Sequence, residues 1–135
     1  MATVRTARHV SPIALAVGDA AVLILWSILG LAHHTEGITF GGILRNSGPI
    51  MLGWFAAALV LKTYTHPGLV RFLATWALGI SLGVALRSLF LGRAWNADEF
   101  AFYGVTLAVT LVLLSIWRGL VLAWTRLPAR ATGSA

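Results

Sequence analysis

The sequence predicts an all-α protein: an integral membrane four-helix up-down bundle, forming one domain over residues 1–135. Three observations predict it. Four apolar runs recur along the chain, each close to the ~20 residues that cross a ~30 Å hydrocarbon core at ~1.5 Å per residue. Hydrophobic residues make up 59% of the chain and charged ones only 10%, far from the balance of a soluble domain of this size. The basic residues fall singly, mostly at the ends of the apolar runs. A net charge of +6 would otherwise suggest nucleic acid, but without a basic stripe that class is excluded.

The first span covers residues 11–32, SPIALAVGDAAVLILWSILGLA, and contains one residue foreign to lipid, Asp19. A carboxylate in hydrocarbon needs a partner, so what meets Asp19 is the central mechanistic question. The preceding MATVRTARHV is basic like the start of a signal peptide. The run is long and lacks a small-residue cleavage site, so an uncleaved signal anchor is expected. Asp19, Trp26 and His33 recur at seven-residue spacing and therefore predict a shared inner stripe.

The second span is placed at 40–62. Ser47-Gly48-Pro49 could open a helix, but a start there leaves only about 20 Å to Leu61, too short to span. Pro49 is therefore expected inside the helix as a kink, freeing the carbonyl of Arg45. The third span is placed at 69–91 and the fourth at 100–124. Short connections predict antiparallel neighbours. Gly53 with Ala57, Gly79 with Gly83, and Ala14 with Gly18 have the small-xxx-small spacing that lets helices approach closely in lipid.

Lysine and arginine set the orientation. Arg5, Arg8, Lys62, Arg71, Arg126 and Arg130 share one side, against Arg45 and Arg93 on the other. That bias predicts a cell (inner or plasma) membrane protein with both termini cytoplasmic. Tyr64 and Trp124 mark the inner interface, Trp95 and Tyr103 the outer one.

Depth assigns partners. Asp19 lies about 10–12 Å and Arg118 about 10 Å inside the cytoplasmic boundary, on antiparallel helices, and they are expected to form an intramembrane charge pair. The alternative leaves Asp19 protonated and Arg118 snorkelling to the head groups. Arg87 lies near the other boundary, at the level of His33, His34, Asn46, Ser47, Asp98 and Glu99. This outer polar cluster reads either as a vestibule for a small anion or lipid head group, or as a solvated rim.

No cofactor is expected. His33 and His34 are adjacent, hence about 100° apart on a helix, and cannot ligate both faces of one haem. No HExxH-type zinc spacing occurs, and without cysteine there is neither a disulfide nor a thiolate site.

GDA around Asp19, LGLAHH, GPIMLGW with Pro49, Gly53 and Trp54, GVALR with Gly83 and Arg87, and the late SIWR with Trp117 and Arg118 occur in order. In that order and spacing the chain resembles family 3054 of the domains of unknown function, small prokaryotic integral membrane proteins, over roughly residues 17–118. The resemblance implies the four-span fold and no particular activity.

Two functions fit these observations. One is transport or permeation of an ion or small solute by a homo-oligomer, since four helices hardly enclose a path alone. The other is an accessory membrane protein that binds a partner protein or an anionic lipid, with Asp19–Arg118 as an internal strut. An enzyme is not expected, because no acid–base cluster joins Asp19 at its depth.

Overall fold

In the computed structural model residues 8–35 and 37–127 are described; Arg5, Glu36 and Arg130, which enter the charge pattern, lie outside them. Four helices follow in order: α1 (Pro12–Ala32), α2 (Phe40–Val60), α3 (Leu69–Phe90) and α4 (Ala97–Arg126). Among the described residues there is no strand, and all four helices are long and apolar enough to cross a membrane.

Three of the four helices, α1, α2 and α4, begin behind a side-chain cap. Ser11 accepts from the Ala14 N–H behind Pro12, and Thr39 accepts from the Gly42 N–H. Asn96 accepts from the Glu99 N–H and starts α4 three residues earlier than the expected 100. Asp98 and Glu99 therefore sit in the first turn of α4, where carboxylates suit the helix dipole. At its other end α4 runs past 124 to Arg126. α2 does run through Pro49, which leaves the Arg45 carbonyl without its helical donor.

Two helices end in the same motif. At α3, Gly92 takes φ 61° while the Arg93 N–H reaches the Ser88 carbonyl and the Gly92 N–H the Leu89 carbonyl. At α2 the equivalent position is Lys62, at φ 53°, with Thr63 bonded to Ala58 and Lys62 to Leu59. A lysine thus holds a left-handed conformation that favours glycine. The turn it makes sends Tyr64 back toward α1.

The helices pack in chain order, with α1 also against α4 and α2–α3 the most extensive contact. That contact is backbone on backbone. A Cβ on Gly53 would lie 2.3 Å from the Gly83 nitrogen, and one on Gly83 would lie 2.6 Å from the Ile50 Cα. Gly79 faces the backbone of Trp54. Gly18 serves a different purpose: its missing Cβ makes room for the Trp117 indole of α4.

The apolar core joins Leu23, Ile50, Trp54, Phe72, Ile80, Val84 and Leu114, drawn from all four helices. Outward-facing side chains such as Val17, Leu25, Leu52, Leu82, Val112 and Leu122 are large and apolar, as a lipid-facing surface requires. The buried stripe of α1 is Asp19, Leu23, Ser27 and Leu31, in four-residue steps. It does not follow the expected Asp19–Trp26–His33 repeat. α1 stops at Ala32, and His33, its C-cap, is exposed.

Candidate functional site

Polar groups gather at two levels, one near each end of the helices. At the first, Asp19 is wholly buried and its Oδ2 accepts from Arg118 Nη2 at 2.7 Å and from the Tyr64 hydroxyl at 2.6 Å. The Trp54 indole N–H in turn donates to the Tyr64 oxygen at 2.9 Å. One carboxylate oxygen thus ties together α1, α4, and the α2–α3 connection. Burial, and then the Asp19 carboxylate beside it, hold the Tyr64 phenol above its ordinary value, so it stays protonated and donates. The Arg118 guanidinium carbon lies 5.7 Å from the Tyr64 ring centre and 5.6 Å from that of Phe72.

Arg118 is thus the cation that meets Asp19, and Arg87 lies at the other level. A cavity of about 280 Å³ beside Arg118 is lined mainly by Leu15, Pro67, Leu69, Phe72, Val121 and Leu122. Asp19 Oδ1, Trp117 Nε1 and Arg118 Nε are buried without hydrogen-bond partners. Arg8, just before α1, stacks over the Trp124 ring at 4.5 Å, which brings the chain before α1 and the end of α4 to the same level.

At the second level the buried residue is Arg87, only 6% exposed. Its Nε donates to Asn46 Oδ1 at 2.9 Å and its Nη1 lies 3.6 Å from Glu99 Oε2. Its guanidinium packs 4.1 Å from the Phe102 ring centre. Glu99 also accepts from Ser88 at 2.9 Å and pairs with Arg93 at 3.3 Å. Arg87 is therefore no snorkelling arginine in a solvated rim, since burial, an ion pair and an aromatic face enclose it.

A cavity of about 390 Å³ opens beside Arg87, lined by His34, Arg45, Asn46 and Arg93 together with Thr35 and Thr39. A separate small cavity that also touches His34, Asn46 and Arg87 is lined by Trp26, Ser27 and Ile50. Of the expected outer cluster, His34, Asn46 and Arg87 meet here. His33, the exposed C-cap of α1, does not line the cavity. Ser47 bonds back to the Ile43 carbonyl at 2.7 Å, and Asp98 is exposed.

Two participants went unassigned in the sequence, Tyr64 and Trp54, which complete the Asp19 node. Glu99, expected in the outer cluster, does pair with Arg87 there and is a second buried acid. The signal for Glu99 was present as Asn96-Ala-Asp-Glu99, a capping pattern that starts the helix early.

No curated protein and no solved structure matches the chain. A family described as "Protein of unknown function (DUF3054)" matches over residues 16–121, a stretch that holds both polar levels. Because that match covers most of its length, the chain belongs to the DUF3054 family.

Proposed function

We propose that this is a multi-pass cell-membrane protein of accessory type, with both termini cytoplasmic. It binds a ligand or partner at the Arg87 end, performs no catalysis, and uses the Asp19 node as an internal strut. The observation that carries this reading is the enclosure of Asp19. Its ionic and hydrogen-bonding partners belong to the fold, and the cavity beside Arg118 is lined mostly by aliphatic and aromatic side chains and does not include Asp19. A carboxylate that loads and unloads a solute needs a wet route, whereas a strut needs a dry contact with partners from the fold. Transport through a homo-oligomer would require a polar path to Asp19 that two copies build together.

Proton flux separates the two readings. Purified protein in liposomes carrying an internal pH-sensitive dye is expected to leave the vesicles as tight as empty ones, and Asp19→Asn should change nothing. A proton or cation leak that disappears in Asp19→Asn would overturn the strut reading in favour of transport.

A further inference from the structure

Among the described residues, Arg45, Arg87 and Arg93 line the vestibule at the Arg87 end, and one carboxylate, Glu99, is paired with Arg87 and Arg93. Arg45 is exposed, and the Arg93 side chain, though paired with Glu99, is 56% exposed, so both guanidiniums can reach a ligand in the cavity. Arg87 is different: it is 6% exposed, fixed by Asn46, and its buried Nη1 lies 3.6 Å from Glu99 Oε2, an ion pair too long to be a hydrogen bond. A guanidinium left short of an acceptor at a cavity wall offers a preformed donor for an oxyanion.

The backbone adds to this. α2 begins at the vestibule, with Thr39 and Gly42 on its wall. The first turn of α2 carries no acid, unlike that of α4, so the positive end of its dipole is uncompensated. The volume falls within the ~300–1,000 Å³ usual for ligand sites.

We infer that this vestibule is a phosphate-type oxyanion site, with Arg87 as the fixed donor and Arg45 and Arg93 as mobile ones. The inference rests on reading the Arg87 end as the binding end, and it names the chemistry bound there. Phosphate of this kind reaches a membrane protein either free in solution or as the head group of an anionic phospholipid. An entering oxyanion competes with Glu99 for Arg93, so binding is expected to loosen that exposed pair and leave the buried Arg87–Glu99 contact in place.

The test uses the full chain purified in detergent. Thermal unfolding is followed with sodium phosphate against sodium chloride at matched ionic strength. In a second arm, mixed micelles containing phosphatidylglycerol or phosphatidylcholine are compared, and the retained lipid is measured by mass spectrometry. A stabilising shift with phosphate identifies a free oxyanion; selective retention of phosphatidylglycerol identifies a lipid head group. In either arm the double variant Arg45→Gln with Arg93→Gln, made at exposed positions that spare the core, is expected to lower affinity about tenfold or more. No shift and no selective retention, or a double variant equal to the parent, overturns the site. That failure would leave the liposome result on Asp19 untouched, because Asp19 lies at the opposite level.

Discussion

A single oxygen, Oδ2 of Asp19, receives both the Arg118 guanidinium and the Tyr64 hydroxyl. Removing one partner of a buried ion pair typically costs ~3–5 kcal/mol, while polar contacts measured within membranes fall nearer ~1. Asp19→Asn and Arg118→Gln are each expected to lower the unfolding midpoint in detergent, with the double change recovering part of the loss. Additive losses would show that the two side chains do not depend on each other. Tyr64→Phe removes one donor to Asp19 and leaves the Trp54 N–H without its acceptor, for an expected ~1–3 kcal/mol. A Tyr64→Phe protein as stable as the parent would exclude the phenol from the node. Asp19–Arg118 was legible because both residues sit in regular helices, where a fixed rise turns sequence position into depth. Tyr64 was not, because its direction depends on the left-handed turn at Lys62, which no hydrophobic period announces.

Among the elements, α2 and α3 are held by glycines rather than by large side chains. Gly83→Leu would drive a side chain into the Ile50 backbone, so it is expected to part the two helices and lower stability sharply. Gly104→Ala and Gly119→Ala meet open space and are expected to leave the melting profile unchanged or slightly raised. Equal profiles for Gly83→Leu and Gly104→Ala would mean the α2–α3 contact contributes nothing. Lys62→Gly relieves a left-handed residue and is expected to add up to about 1 kcal/mol, read as a higher midpoint. Spacing alone identified Gly53, Gly79 and Gly83 as packing positions. It could not tell which helix each would face, nor that Gly18 would receive an indole instead of a backbone, because spacing fixes a face and not its partner.

For the whole molecule, the charge bias of the connections makes a prediction about sidedness. Reporter fusions after Arg71 and after Arg130 are expected to read cytoplasmic, and those after Thr39 and after Asn96 external. An external signal at Arg130 would reverse the orientation or change the number of crossings. The four-helix fold was readable from run length and composition, since the bilayer demands both. The vestibule was less so. Its residues come from the first connection, α2, α3 and the third connection, and only packing brings them to one cavity. Placing the fourth span at 100 left Glu99 in the connection, and with it the acid that partners Arg87.

The Asp19 node also bears on how the protein is made. The partners of Asp19 lie 45 and 99 positions further along the chain. A ribosome delivers α1 to the membrane first, so its carboxylate waits through the synthesis of three more helices before Arg118 arrives. During that interval the nascent chain holds an unmatched acid, and α1 is expected to linger near the insertion machinery until α4 releases it. A chain truncated after Gly92 should therefore insert α1 poorly and turn over quickly in a pulse-chase experiment. Asp19→Leu in the same truncation should restore insertion and lifetime. If the truncated parent is as long-lived as its Asp19→Leu version, the wait imposes no burden.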